Sequence, residues 1–415
     1  MDVSRWISAR LSLRGERRGS GAGIGIAVAG VALCVIVMEF TLAVVVGFKD
    51  GIRDKLMGFD AEIFIETVPG VTQGSEAYVQ DDDLLRNLIR AAIPEAQIEK
   101  SVRTPGLLKT DTDFEGAMYL GIDPLGDQSF ARGNLRQGVW PDWTADSTRN
   151  DIVMSRTIAN ALDLGIGDKV YSSYFVDDAV KIRRHRVAGI YESDFGDYDK
   201  TVVYASLPGL QGVLGMDSTQ CSRLDIRGIS PDHITDNALK LRSALVNAYA
   251  SGHLPGYLTV DTVERTGALY FNWLALLDTN VTVIFVLMLC VSGFTLVSCL
   301  FILILERVRM IGVLRALGMR SRAVRRIFIL LAMRVVGIGL IIGNILGLGT
   351  LIIQQQYHII PLDPAMYYLS YVPVHINALH MILLNIGVAV ASWLILVLPS
   401  RMAASISPAE SVKFD

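Results

Sequence analysis

Residues 279–305 are twenty-seven in a row without a charge, and they run straight into a basic stretch, Glu306-Arg307-Val308-Arg309-Met310-Ile311-Gly312-Val313-Leu314-Arg315-Ala316-Leu317-Gly318. A helix crossing a bilayer takes roughly 20 apolar residues, and lysine and arginine mark its cytoplasmic end. A chain with this feature is built around a membrane. Between Arg18 and Lys49 the one charge is Glu39, between Arg334 and Asp363 there is none, and from Pro364 to Ser400 there is again none. The pattern predicts four spans, at 24–48, 279–305, 327–353 and 379–399. They are too long for barrel strands, and lipid requires their backbone polar groups to be satisfied internally, so they are helices.

Arginine placement orients the spans. Arg5, Arg10, Arg14, Arg17 and Arg18 precede the first, and Arg307, Arg309, Arg315, Arg320, Arg322, Arg325 and Arg326 fill the loop 306–326, whereas the loop 354–378 has neither lysine nor arginine. Both termini (1–23 and 400–415) and the loop 306–326 are therefore expected in the cytoplasm, with 49–278 and 354–378 outside. Segment 49–278 carries 34 acidic and 23 basic residues, net −11, against 7 and 15, net +8, in the rest, so the whole-chain charge of −3 hides two oppositely charged parts. The apolar run after Arg18 is longer than a signal-peptide core and shows no evident small-residue cleavage site, which favours a retained signal anchor. Before it, Trp6, Ile7, Leu11 and Leu13 interleave with arginines, as in a helix lying in the inner interface.

The outer segment has to fold on its own core. Cys34, Cys290 and Cys299 fall within spans, and the remaining cysteine, Cys221, leaves no internal disulfide to brace it. A segment of this length buries enough surface to do without one. Its pattern is mixed α/β. Strands are expected over 61–68 and 102–110, with further extended segments at 117–123 and 138–140, and a helix over 81–93. Within 151–170 an apolar strand passes into a helix. Segments 170–175 and 180–191 form a hairpin turning at 176–179, followed by a helix at 207–214, a strand near 222–226 and a helix over 231–250. The expected fold class is a four-helix membrane part joined to a large mixed α/β extracytoplasmic domain.

These segments, in this order, resemble the permeases of the lipoprotein-releasing ABC transporters, within the broader family of macrolide-exporter (MacB-like) and FtsX-type permeases. The resemblance covers nearly the whole chain. It rests on the layout of one span, a large outer domain and three more spans, on Val46-Gly47-Phe48-Lys49 and Tyr119-Leu120-Gly121-Ile122-Asp123-Pro124, and on Asp151-Ile152-Val153-Met154-Ser155 with Leu164-Gly165-Ile166-Gly167-Asp168-Lys169-Val170. It continues through Val187-Ala188-Gly189-Ile190-Tyr191, the stretch 306–318, and the tail Pro399-Ser400-Arg401-Met402-Ala403-Ala404 with Ser407-Pro408-Ala409-Glu410.

Residues 306–326 point to transmission by themselves. Met310, Ile311, Val313, Leu314 and Leu317 stand among arginines, and Gly312 and Gly318 interrupt the pattern, so a short helix is expected to leave the membrane, turn and re-enter. The resemblance makes this the coupling helix, which receives motion from a cytoplasmic ATPase through Met310, Ile311, Leu314, Arg315, Leu317, Gly318 and Met319. Many relatives carry an acidic residue where Met310 stands, so a charge contact is missing from that expectation. An ordinary basic loop is the alternative.

No catalytic pattern accompanies this. There is no G-x-x-x-x-G-K-[ST] phosphate loop, and His185, His233, His253, His358, His375 and His380 lack metal-ligand spacing. Gly19, Gly21, Gly23 and Gly25 precede a span, where glycines serve flexibility and close helix packing. The chain is expected to be a non-catalytic permease without cofactor or nucleic acid. Of the charges inside spans, Arg334 can snorkel to the cytoplasmic side, whereas Glu39 is deeper and should face the bundle interior, a partner or water.

By resemblance, the expected protein is an inner-membrane permease pairing with a second permease, identical or related, and with two copies of an ABC ATPase. It would pass lipoprotein cargo from the surrounding lipids to a periplasmic carrier. Acyl chains would enter between spans one and two, near Glu39, Phe40, Val44, Phe48, Phe271 and Trp273. On the return strand of the hairpin, Lys181, Arg183, Arg184, His185 and Arg186 form a basic cluster in an acidic domain. Alternation puts Arg184 and Arg186 on one face, the expected docking pair for a carrier, unless the charges protect a sheet edge. The alternatives are an efflux permease of the macrolide-exporter kind and an FtsX-like transmitter that activates a cell-wall hydrolase.

Overall fold

The structure, a computed structural model, describes residues 20–67, 78–176, 179–397 and 399–400. The interfacial helix expected around Trp6 to Leu13, the tail beyond Ser400 and the hairpin turn at Asp177 and Asp178 lie outside the described residues. The chain divides into two compact units: Met1–Asp50, Trp273–Pro361 and Tyr371–Asp415 form one, and Gly51–Asn272 with Leu362–Ser370 the other.

Among the described residues, four helices are long and apolar enough to cross a membrane. They are α1 (Ser20–Phe59), α2 (Ala268–Glu306), α4 (Ser321–Tyr357) and α5 (Ala378–Val397), with the short α3 (Val308–Ala316) between α2 and α4. Helix α1 runs on past Lys49 and Asp50 to Phe59, and α2 begins at Ala268, ahead of Asp278. Charges mark where lipid ends, but a helix satisfies its backbone equally well in water, so it need not stop there. Ala27 and Val31 of α1, Leu296, Leu300 and Leu303 of α2, Phe328 and Leu331 of α4, Leu396 of α5 and Ile311 of α3 form one buried cluster. Large apolar residues on the opposite faces, such as Phe294, Ile345 and Leu383, are exposed, as a lipid-facing surface requires.

The α/β unit contains β1 (Ile63–Thr67), β2 (Val79–Gln80), β3 (Gln97–Lys109), β4 (Phe114–Ile122), β5 (Leu135–Gly138), β6 (Asp151–Ser155), β7 (Lys169–Val176), β8 (Ala179–Tyr191), β9 (Val202–Ser206), β10 (Gln220–Cys221), β11 (Arg223–Arg227) and β12 (Leu258–Thr262). The main sheet runs β12-β1-β11-β3-β4-β9-β6-β8-β5, and β7 joins β8 to β3. Strand β3 serves two neighbours along its length: residues 97–101 pair with β11 and residues 106–109 with β7. The pairings β3–β4, β4–β9, β9–β6, β6–β8, β8–β7 and β7–β3 close into a six-stranded ring, with the open edge of β8 limited to residues 179–185, which pair with β7 alone. Alternation along β7 buries Val170, Ser172, Tyr174 and Val176. The sequence pattern marked neither β9 nor β12. Strand β9 is buried at every position and so lacks a two-residue alternation.

Asp82 caps the helix Asp83–Ala92 by accepting from Leu85 N at 2.7 Å, and Ser206 caps Leu207–Leu214 in the same way.

Candidate functional site

Helix α3 ends in a Schellman turn. Met319 N donates to Leu314 O and Gly318 N to Arg315 O, both at 3.0 Å, with Gly318 at φ +87°, a conformation glycine adopts without strain. Gly312 does not interrupt the helix as expected; it is buried inside it. The expected contact residues divide by face. Ile311 is fully buried in the shared cluster, and Met310 and Met319 pack against that cluster, so these three hold α3 to its own spans. Leu317 is 80 % exposed, Val313 and Gly318 are exposed, and Leu314 and Arg315 are partly exposed. The outward face of α3 therefore includes Val313, Leu314, Arg315, Leu317 and Gly318.

The expected cargo residues also separate. Phe48 of α1 and Trp273 of α2 meet edge to face with centroids 5.5 Å apart, and nearby Lys49 Nζ pairs with Asp278 at 2.8 Å. Val44 is partly buried on the same helix. Phe40 instead packs with Ala43, Leu351 and Met381, on the side of α4 and α5. Glu39 lies there too, fully buried, and among the described residues neither carboxylate oxygen has a partner in hydrogen-bond geometry. Phe271 belongs to the other unit. Further along α1, a Cβ on Gly47 would come within 2.9 Å of the Pro373 and His375 backbone, and His375 N donates to Ala43 O at 3.0 Å. Gly25 takes no part in close packing, since its added Cβ would meet nothing, whereas Gly30 lies against Thr295 of α2.

Within the α/β unit, the last turn of α1 is held by arginines from the sheet. Arg103 donates to Phe59 O at 2.8 Å and Arg227 to Met57 O at 2.7 Å, so cations meet the free carbonyls of a helix C-terminus. Asp60, the next residue, is shared by Arg103 at 2.8 Å and Arg223 at 2.7 Å. Arg223 also pairs with Asp225 and lies 3.5 Å from the Phe64 ring centroid. Burial alone would raise the Asp225 carboxyl, but Arg223, with Arg103 and Arg227, outweighs it and holds Asp225 below the usual range. Phe59 itself stacks on Tyr198 with centroids 4.5 Å apart and touches Phe130, Phe195 and Tyr204.

One turn earlier on α1, Lys55 Nζ donates to the carbonyls of Ser193 at 2.5 Å and Tyr368 at 2.8 Å. Burial pulls its ammonium down, opposed by Asp194 and Asp199. Tyr368 packs on Phe195 and Tyr270 at 5.0 and 5.6 Å, and Tyr270 Oη donates to Asp197 at 2.6 Å. The turn 193–199 thus gathers the three chain segments of this unit that lead into spans: the end of α1, the start of α2 and residues 362–370.

The hairpin of β7 and β8 presents Tyr171, Phe175, Val180, Ile182 and Arg184 exposed, with Tyr171 facing Arg184 and Phe175 facing Val180 in register. Arg186 is committed to the buried carboxylate of Asp151, accepting at 2.9 Å from Nε. His185, expected in the basic cluster, is buried: Nε2 lies 3.0 Å from Tyr174 Oη and Nδ1 3.0 Å from Asn150 O. Burial lowers its pKa to about 4, so the ring is neutral and adds nothing to the cluster. Lys181 donates to Val213 O at 2.9 Å. Of the expected pair, Arg184 is exposed while Arg186 is held by Asp151.

Sequence reasoning passed over the arginine anchor, Lys55, and three glycines of α4, Gly339, Gly343 and Gly347. The last had a signal in their spacing of four, the small-residue motif of packed membrane helices.

A membrane-spanning helical part with an α/β domain inserted between its first and second spans defines a permease architecture. Residues 24–238 match the MacB-like periplasmic core domain and residues 282–408 the FtsX-like permease C-terminal region, and the chain belongs to this MacB-like, FtsX-like permease family. More particularly, it is similar to the lipoprotein-releasing system transmembrane protein LolC of Xylella fastidiosa (strain 9a5c), 24 % identical across 93 % of this chain and 92 % of that protein. It is also similar to LolE of Haemophilus influenzae, 22 % identical across 92 % of each. Among solved structures, the periplasmic region of MacB from Actinobacillus actinomycetemcomitans aligns at 14 % identity over 52 % of this chain and 95 % of that one, with a TM-score of 0.33.

Proposed function

We propose that this chain is a transmembrane subunit of an ABC transporter that extracts lipoproteins from the inner membrane and hands them to a periplasmic carrier. The observation that carries the reading is the length of the match: relatives named for lipoprotein release align with both the α/β domain and the spans, over more than nine-tenths of the chain. ATP hydrolysis belongs to a separate cytoplasmic subunit, present in two copies, and a second permease, identical or related, completes the path. Both termini and α3 face the cytoplasm, while the α/β domain and the loop between α4 and α5 face the periplasm, as the arginine distribution directs.

In this reading the ATPase grips α3 by Leu317, Val313 and Leu314, and α3 passes its motion to the spans through Ile311. The arginines around Asp60 and the turn 193–199 fasten the α/β domain to the segments leading from the spans, so movement of those segments is received by the sheet. Cargo acyl chains enter beside Phe48 and Trp273, the pair that joins α1 to α2. The hairpin face of Ile182, Phe175 and Arg184 receives the carrier. An FtsX-like transmitter would use the same fastening but would need no acyl path.

The test is purification of the tagged chain from its native membrane with identification of what accompanies it. An ABC ATPase, a second permease chain or a second copy, and bound lipoprotein are expected. Recovery with a cell-wall hydrolase and no lipoprotein would replace this reading with the transmitter.

A further inference from the structure

Glycines 339, 343 and 347 of α4 are buried, and each lies against α1. A Cβ on Gly339 would sit 2.7 Å from Val31 Cβ, and one on Gly343 2.8 Å from Val35 Cβ and 3.0 Å from Ala32 O. One on Gly347 would collide with Glu39 Oε2. The partners Val31, Val35 and Glu39 repeat at the same spacing of four, so matching rows of the two helices interlock over about 12 Å. Two of the three contacts are apolar and close-packed. The third places a carboxyl, fully buried and, among the described residues, without a partner in hydrogen-bond geometry, at the end of the row.

Among the described residues, the side chain that comes within hydrogen-bonding reach of Glu39 is Asn385. However, Asn344 Nδ2 donates to Asn385 Oδ1 at 2.7 Å and to Leu340 O, while Asn385 Nδ2 donates to Asn344 Oδ1 at 2.9 Å and to Met381 O. Each amide has two N–H donors, so both are spent on the other asparagine and on their own helices. A buried carboxyl left without a donor works against the arrangement that buries it.

We propose that the α1–α4 seam is a two-state contact in which the glycine row favours closure and Glu39 opposes it, so that the seam opens to let the carboxyl reach water or a donor group. Tight packing on one side and an unsatisfied group on the other act in opposite directions, and a second arrangement that satisfies the carboxyl is the condition for a switch. This deepens the transport reading by naming the seam that moves, and its measurements require neither cargo nor ATPase.

The experiment compares the purified full-length chain with three variants, using thermal unfolding and the rate at which dicyclohexylcarbodiimide modifies residue 39, read by mass spectrometry. Glu39→Met keeps the bulk and removes the orphaned group, and is expected to raise the unfolding midpoint by several degrees. Gly347→Ala displaces Glu39 and is expected to speed its modification several-fold. Gly347→Ala is also expected to lower the midpoint, and adding Glu39→Ala to it removes the collision and restores that loss. Unfolding of Glu39→Met at or below the wild-type midpoint would overturn the proposal, as would equal modification rates in Gly347→Ala and wild type. If these hold while lipoprotein release is absent altogether, the seam stands and the transport reading falls.

Discussion

Arg223 reaches Asp60 at 2.7 Å, tying strand β11 to the residue that follows the last turn of α1. Both side chains are almost wholly buried, and Arg103 shares the same carboxylate. Asp60→Ala would leave Arg103 and Arg223 close together with Asp225 as their remaining carboxylate, and breaking a buried pair in this way costs about 3–5 kcal/mol. Thermal unfolding of the purified protein is expected to show a large loss of stability, and Asp60→Asn a smaller one. A wild-type midpoint for Asp60→Ala would mean the anchor is not structural.

His185 makes the α/β domain sensitive to acid. Its folded pKa of about 4 lies below the ordinary value of 6.5. Between those values the unfolded chain binds a proton that the folded chain does not, so the contribution to stability is complete above about pH 6.5 and is lost as the pH falls towards 4. From pH 7.5 to 5 the loss amounts to about 2 kcal/mol. Unfolding curves recorded over that range are expected to lose this portion of their pH dependence in His185→Gln, and an unchanged dependence would assign it to other groups.

The two faces of α3 give opposite outcomes for the same chemical change. Leu317→Asp places a charge on an exposed position, so the chain should insert and fold normally while binding of the ATPase fails. Ile311→Asp buries an unpaired charge in the shared cluster and should prevent stable folding of the spans. Pull-down of the ATPase together with the yield of folded chain separates the two. Normal ATPase binding by Leu317→Asp would return α3 to an ordinary basic loop.

Most of this arrangement was visible in the chain itself, and what was hidden follows a physical rule. Charge-free runs located all four spans, because lipid tolerates little else, yet they could not show that α1 continues to Phe59, since water does not end a helix. Strands β3, β4, β6, β7 and β8 alternated or ran apolar and were legible. Strand β9 was not, being buried on both faces. The anchor at Asp60 draws Arg103 and Arg223 from strands far apart in sequence, and no local pattern records such a pairing. Residues 310–319 cover most of α3 and its closing turn, but which of them face outward depends on how α3 lies on its own bundle.

At the hairpin, the pairing of Arg186 with Asp151 changes which substitution is informative. Arg186→Glu would set two carboxylates together and disturb the fold, so the docking test is Arg184→Glu with Ile182→Ser, both exposed. Carrier association measured by surface plasmon resonance is expected to slow at least several-fold and to lose part of its salt dependence, with unchanged unfolding. Wild-type association would move the carrier elsewhere on the domain and leave Arg184 as edge protection.

Release itself decides the function. The complex purified with its own ATPase, reconstituted into liposomes with a lipoprotein labelled on its acyl chains, is followed for transfer of label to a soluble carrier on addition of ATP. ATP-dependent transfer that requires this chain and fails with Leu317→Asp is expected. Vigorous ATP hydrolysis by the same complex with no label leaving the membrane would contradict lipoprotein release.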